Sequence, residues 1–288
     1  MSVQMLTLSA KPVVEELHND VRARIQAFKQ SHHRTPRLAV VLVGNNPASV
    51  IYTRKKGETA IALGMEHESV ALPETASPDE VKSVVDRLNQ DPTVDGILIQ
   101  RPLPRGFREE EVLYWVTPEK DVDAFHPINT GRLSLGLPCF QPCTPTGVME
   151  ILRHYKITPA KKLACVIGRS SIVGKPMAAL LLQADATVIH CHSKTPHLAE
   201  VARQAEILVV AAGKPGLVGA SFVREGAVVI DVGIHRANEG KIVGDVQFDS
   251  VAPRVSAITP VPGGVGPTTI AVLLRNTVWA AEQRELGA

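Results

Sequence analysis

Short apolar runs, rich in β-branched residues and closed by a glycine or a polar residue, recur along this chain between stretches of helical periodicity. They read LAVVLV at 38–43 and GILIQ at 96–100, with further runs at 163–167, 186–190, 207–211 and 227–231. Runs that are apolar throughout, not alternating, belong to strands buried on both faces, as in parallel sheets covered by helices. The intervening stretches supply the helices. Val13, Val14, Leu17, Val21, Ile25 and Phe28 recur at helical spacing. Asn46-Pro47 predicts a capped helix running to about Gly64, and Ser77-Pro78-Asp79-Glu80 is a capping box opening a helix to about Asn89. A short strand is expected at 70–72. The Pro- and Gly-rich stretch 123–145 predicts a linker beside a functional loop, followed by a helix capped at Thr144-Pro145. A second α/β unit starts at Leu163, with helices after Gly174 and after Thr195-Pro196, and one long helix spans 268–285. The class is therefore α/β with two domains, the second with a parallel sheet.

A chain of 288 residues, 44% of them hydrophobic, can bury two such cores. With 31 basic and 29 acidic residues the net charge is +2, and no basic run marks a nucleic-acid surface. Aromatic residues at 4% are too few for base-stacking platforms. No run approaches the ~18 apolar residues of a membrane span, and MSVQMLTLSAK lacks the pattern of a signal peptide. A cytoplasmic protein is expected. Cys139, Cys143, Cys165 and Cys191 suit a reducing compartment as free, small hydrophobes. No second cysteine pair or His-x-x-His accompanies Cys139 and Cys143, and Asp121 with Asp123 make a thin metal set, so no metal is expected.

The segment 168–176 reads GRSSIVGKP, following one predicted strand and opening a helix. A dinucleotide pyrophosphate sits on the free N–H groups of such a helix N-terminus. The common G-x-G-x-x-G is absent; only Gly168 and Gly174 are present, and the same loop occurs as a generic α/β turn. The next strand ends in Cys191-His192-Ser193-Lys194, without the carboxylate that holds an NAD ribose. Beside Arg169, those residues suit the 2′-phosphate of NADP, or are solvated polar residues at a strand end. In the first unit, Tyr52 and Lys56 lie at i and i+4, one turn apart on a helix face, a spacing that surface pairs share. Gln100 closes a predicted buried strand, where polar residues line the ligand crevice of open sheets or anchor loops.

Taken together, VGNNPASVIYTRKK, ILIQRPLP, PEKDVDAFHPINTGRL, PCTPTGVMEIL, GRSSIVGKP, CHSKT, VIDVGI and TPVPGGVGPTTIAVLL resemble the methylenetetrahydrofolate dehydrogenase/methenyltetrahydrofolate cyclohydrolase family in order and spacing. The resemblance runs from about Val43 to near the end. It implies two α/β domains around a deep cleft: a folate-binding domain at 1–143 and 272–288, and a Rossmann-like NADP-binding domain at 144–271. It implies oxidation of 5,10-methylenetetrahydrofolate with NADP+, then hydrolysis of the methenyl product to 10-formyltetrahydrofolate. A homodimer and a place in one-carbon metabolism, including purine synthesis, are also implied. By the family's pattern Lys56 is the central catalytic group and Gln100 supports it. Tyr52 lines the pterin pocket and Asp123 binds the pterin. Gly168, Arg169, Ser170, Gly174, Ser193 and Ile234 fall on the cofactor side, and the Pro262-Gly263-Gly264-Val265 turn borders the folate.

Several positions depart from that pattern. Arg101 stands where an apolar residue usually follows the glutamine, which leaves the balance of the two activities open. Gly57-Glu58 replaces a second basic residue, and Gly57 weakens its helix by ~1 kcal/mol relative to Ala. Ala124 and Asp185 stand at usual glycines. Two rival functions remain at this point: a dehydrogenase with little cyclohydrolase activity, and a noncatalytic NADP-binding protein. A hydroxy-acid or quinate-type dehydrogenase is disfavoured by PEKDVD and by the missing glycine fingerprint.

Overall fold

The computed structural model describes residues 5–237 and 240–286. In chain order the first elements are β1 (Leu6–Thr7), α1 (Ala10–His32), β2 (Arg37–Val43), α2 (Pro47–Ala62), β3 (Glu66–Leu72), α3 (Pro78–Gln90) and β4 (Gly96–Ile99). Then come α4 (Glu109–Val112), α5 (Pro127–Ser134), α6 (Cys143–His154), β5 (Leu163–Ile167), α7 (Gly174–Gln183), β6 (Thr187–Cys191), α8 (Leu198–Ala202) and β7 (Ile207–Val210). The chain ends with β8 (Val228–Asp231), β9 (His235–Arg236), β10 (Ile242–Val243), α9 (Phe248–Val251), β11 (Ala257–Ile258) and α10 (Val265–Leu286). These elements pack into two compact units, residues 16–141 with 270–286 and residues 5–15 with 142–269.

The first unit holds a three-stranded parallel sheet in the order β3-β2-β4. β2 is central and buried along nearly its whole length, which is why its sequence does not alternate; β3 is an edge strand and does. Ala39, Val41 and Val43 pack against Val81, Val85 and Leu88 of α3, each large apolar side chain contributing ~1.5–3 kcal/mol by burial. Asn46 Oδ1 accepts the N–H groups of Ala48 and Ser49 and starts α2, with Pro47 at its first position. The Ser77–Glu80 capping box starts α3. Asp95, buried at the start of β4, accepts two bonds from Arg34 at 2.8 and 2.9 Å, one from Arg284 at 3.1 Å and the backbone N–H of Arg37. It thereby joins the segment between α1 and β2, the first residue of β2, and α10.

The second unit holds a six-stranded sheet in the order β1-β11-β8-β7-β5-β6, every pairing parallel. From β6 to β11 that is the doubly wound order with its reversal between β5 and β7. β9 and β10 form a separate antiparallel hairpin.

Several boundaries differ from the sequence expectation. Residues 5–15 belong to the six-stranded unit, not to the first domain, because β1 pairs with β11. Residues 1–4 and 287–288, assigned to the first domain, lie outside the described residues. The expected linker contains α5, which His126 starts by accepting the Ile128 N–H at its Nδ1. α6 begins at Cys143, with Pro142 as cap residue, not at Thr144-Pro145. β3 is twice the expected length or more, and α10 starts three residues early. Gly57 has a packing reason: a Cβ there would run into the His67 ring of β3.

Candidate active site

In the first unit, the reversal of strand order falls between β2 and β4, and ligands of open α/β sheets bind beyond the C-terminal strand ends at such a point. α2 leaves the end of β2 and buries a stripe of small and polar residues: Ser49, Thr53, Lys56, Gly57 and Ala60. Lys56 is only 8% exposed, so it is not a surface lysine. Its Nζ donates to Gln100 Oε1 at 2.8 Å. Gln100 follows β4 and is held from two sides: its backbone N–H donates to the Val41 carbonyl at 2.8 Å and its Nε2 to the Arg101 carbonyl at 2.6 Å. That second bond fixes which end of the amide faces the lysine. Tyr52, one turn earlier on α2, is 41% exposed.

Asp123 is half-buried on a turn tied down at both ends. Ile97 of β4 donates to the Lys120 carbonyl, and Asn276 of α10 donates to the Val122 carbonyl. Asp121 lies inside the turn and accepts the N–H groups of Phe125 and His126 and the Asn129 amide, at 2.8–3.2 Å. Burial pushes its carboxyl up to about 7, against the pull of those donors. Asp121 and Asp123 share a small cavity, ≈ 30 Å³, with Ile99, Arg101 and Phe125. A larger hollow of ≈ 270 Å³ opens between the end of β2, Asn45-Asn46, Glu74 and Pro102–Pro104.

In the second unit, Gly168 closes β5 with φ +127°, and its N–H donates to the Cys191 carbonyl. A Cβ on Gly168 would overlap the Ala211 carbonyl at the end of β7, so only glycine fits at this reversal point. Gly174 is equally confined, by the carbonyl of Gly168. The Ser170 hydroxyl accepts the N–H groups of Val173 and Gly174 at 3.2 Å, which ties the loop to the start of α7 and leaves its own O–H to donate elsewhere. β6 ends without a carboxylate. Arg169, Ser193 and Lys194 are exposed there, and among the described residues neither Arg169 nor Lys194 forms an ion pair. A tight glycine turn, a helix N-terminus and two unpaired cations fit a phosphorylated dinucleotide.

Ile234 follows β8 and is 48% exposed. Its loop is set by two carboxylates that the sequence reading passed over. Asp231 accepts the N–H groups of Gly233, Asp245 and Val246. Asp245 accepts those of Ala212 and Gly213 and lies 2.7 Å from His235 Nε2. Their signal was faint: Asp245 is one acid beside a glycine, and Asp231 is the polar residue that ends an apolar run. The Pro262–Val265 turn has Gly263 at φ +99°, its carbonyl accepting the Ala10 N–H, while Val265 is buried. Ile234 reaches this region, since its Cδ1 lies against the Gly266 backbone. The structure thus gathers Lys56, Gln100, Tyr52 and Asp123 in one unit. Gly168, Arg169, Ser170, Gly174, Ser193, Ile234 and Pro262–Val265 lie in the other, so the turn expected beside the folate shares a unit with the cofactor loop. Among the described residues no group of three or more His, Cys, Asp or Glu could hold a metal ion, and no helix is long and apolar enough to cross a membrane.

Residues 8–123 match the family model described as tetrahydrofolate dehydrogenase/cyclohydrolase, catalytic domain, and residues 142–285 match its NAD(P)-binding domain. The chain is 49% identical over 280 residues to the bifunctional protein FolD of Ligilactobacillus salivarius, covering 97% of this chain and 98% of the relative. Among solved structures it is similar to the bifunctional enzyme FolD, methylenetetrahydrofolate dehydrogenase/cyclohydrolase, of Campylobacter jejuni. There the identity is 46% and the TM-score 0.94, over 97% and 99% of the two chains. It is also similar to the Trypanosoma brucei methylenetetrahydrofolate dehydrogenase-cyclohydrolase solved with NADP cofactor and inhibitor. The identity is 35% and the TM-score 0.93, over 99% of each chain.

Proposed function

This chain belongs to the tetrahydrofolate dehydrogenase/cyclohydrolase family, and from that premise we propose that Lys56, Gln100, Tyr52 and Asp123 handle the folate in both of its reactions. It is a bifunctional enzyme of folate one-carbon metabolism: it oxidises 5,10-methylenetetrahydrofolate to the methenyl form with NADP, and hydrolyses that product to 10-formyltetrahydrofolate. The observation that carries the residue assignment is the buried Lys56 Nζ donating to the Gln100 amide oxygen at 2.8 Å.

When bound, NADP+ would supply the hydride acceptor for the bridging methylene carbon. The protein's part in that step is placement, which needs no strong base. Gly168 and Ser170 would hold the pyrophosphate at the start of α7. Arg169, Ser193 and Lys194 would take the 2′-phosphate, and Ile234 would pack at the nicotinamide end. Asp123 offers two acceptor oxygens to the paired N–H donors of the pterin, and Tyr52 presents its ring along the same face of α2 as Lys56.

Hydrolysis requires more of the side chains. Water adds to the methenyl carbon and a C–N bond opens; one water proton goes to the freed nitrogen and the other leaves for solvent. Lys56 moves that proton, and Gln100, an uncharged partner, aims the amine without adding a negative charge that would favour its protonated form. A homodimer in the cytoplasm belongs to the same proposal, and light scattering on purified protein tests the dimer.

The test follows methylenetetrahydrofolate with NADP and NAD in parallel, and hydrolysis of added methenyl substrate separately. Wild-type protein is expected to reduce NADP and to accelerate hydrolysis. Lys56→Met is expected to lose hydrolysis by roughly 10²–10⁴-fold while still binding NADP. Wild-type hydrolysis at the uncatalysed rate would leave a dehydrogenase alone, and a Lys56→Met enzyme that hydrolyses like wild type would remove the lysine from the mechanism.

A further inference from the structure

We propose that Arg101 is a positioning residue for the folate: its side chain clamps the pterin-binding segment 121–125 to the loop that carries Gln100. The inference rests on the assignment of Asp123 to the pterin.

Four contacts meet at this residue. Its backbone carbonyl accepts the Gln100 Nε2 at 2.6 Å and the Ser49 hydroxyl at 3.4 Å, so the main chain of residue 101 is part of what orients Gln100. Its side chain turns the other way. The guanidinium donates to Glu109 Oε2 at 2.8 Å, at the start of α4, and its Cζ lies 5.5 Å from the centre of the Phe125 ring. Arg101 also lines the small cavity that holds Asp121, Asp123 and Phe125. Phe125 is in turn fixed by its N–H bond to Asp121. Residue 101 is thus the junction of the Gln100 loop, the 104–112 loop and the Asp123 turn.

An apolar residue here would fill space against Phe125 but could make no bond to Glu109. The arginine does both, because a planar guanidinium stacks on a ring face while its edge donates to a carboxylate. The two legs differ in setting. The Arg101 side chain is 19% exposed, whereas Glu109 is 62% exposed. The stacking leg is therefore shielded and the ionic leg is open to salt. Arg101 holds the segment before substrate arrives, and Asp123 contacts the pterin equally in ground and transition states. Loosening the clamp should accordingly weaken substrate binding without slowing chemistry.

Arg101→Ala is expected to raise KM for methylenetetrahydrofolate roughly 5- to 10-fold. Its kcat should stay within about twofold of wild type. Glu109→Gln, an exposed change that should not affect folding, is expected to move KM the same way by less. The double variant is expected to be no worse than Arg101→Ala, because both remove one clamp. Arg101→Lys keeps the ionic leg and loses the stack, so it should fall between wild type and Arg101→Ala. Wild-type KM should climb with sodium chloride more steeply than that of Arg101→Ala. Calorimetric titration with tetrahydrofolate reads the same weakening without turnover. Arg101→Ala with wild-type KM and affinity, additive effects of the two substitutions, or a loss of kcat at constant KM would each overturn the proposal. A wild-type protein that neither binds tetrahydrofolate nor turns over would instead overturn the folate reading beneath it.

Discussion

Asp185 holds a left-handed backbone, φ +61°, immediately after Ala184, the C-cap residue of α7. Its N–H donates to the Leu182 carbonyl and that of Ala186 to Leu181, the bonding of a helix end that favours glycine. Its carboxylate also faces the negative end of the helix dipole. Asp185→Gly should therefore stabilise the protein by about 0.5–1 kcal/mol, read as a higher urea midpoint at unchanged slope. An unchanged or lower midpoint would show that the side chain has another use. Ala124 is also left-handed, at φ +62°, but its methyl is buried, so exchange for glycine trades strain relief against lost packing and should be close to neutral. Both positions could be singled out in the sequence as non-glycines at usual glycines. The burial of Lys56 could not: spacing places it on a face with Tyr52 but does not say that the face turns inward, since the buried stripe of α2 is made of Ser, Thr, Gly and Ala as well as the lysine.

At the scale of elements, the proposed NADP site draws on the loops that follow β5 and β6. Arg169 and Lys194 stand on separate loops, after β5 and β6, and reach solvent with no carboxylate paired to either among the described residues. Charge-assisted bonds to a phosphate contribute about 1.5–3 kcal/mol each. The Arg169→Ala/Lys194→Ala variant should raise KM for NADP by roughly 10²–10⁴-fold, with KM for NAD within about threefold of wild type. Equal losses on both cofactors would mean that the cations hold the shared part of the dinucleotide. Long, uniformly apolar strands and capped helices were legible because each carries its own signal, as at Ser77–Glu80. The two-residue strands β1 and β11, the β9–β10 hairpin and α5 were not. A strand that short has no periodicity, and α5 is started by a histidine cap inside a stretch rich in proline and glycine.

Over the whole chain, the division into two α/β units could be read from the repeated run of strands, and only the long-range pairing of β1 with β11 moved the N-terminal residues across. Each unit also buries a carboxyl whose environment the sequence does not reveal: Asp121 in the first, pushed up to about 7, and Asp231 in the second, pushed up to about 6. Burial is the main cause in both, and it outweighs the backbone and amide donors around them. The consequence is a pH-dependent stability with a definite sign. Above its ordinary value of 3.8 the unfolded chain releases the Asp121 proton, while the folded protein keeps it until about pH 7. Between those limits the folded state binds more protons, so stability falls as pH rises and levels off above about 7. Asp231 acts in the same direction over a narrower window, ending near 6. Asp121→Asn cannot ionise. It should lower the melting temperature overall, because an amide replaces one acceptor by a donor against three N–H partners. Its melting temperature should nevertheless fall less between pH 4 and 7 than that of wild type. Scanning calorimetry at matched ionic strength reads the slope separately from the level. If the two units melt apart, the flattening should appear in one transition, while Asp231→Asn flattens the other. A wild-type slope retained in Asp121→Asn would mean that the three donors hold Asp121 ionised in the folded protein.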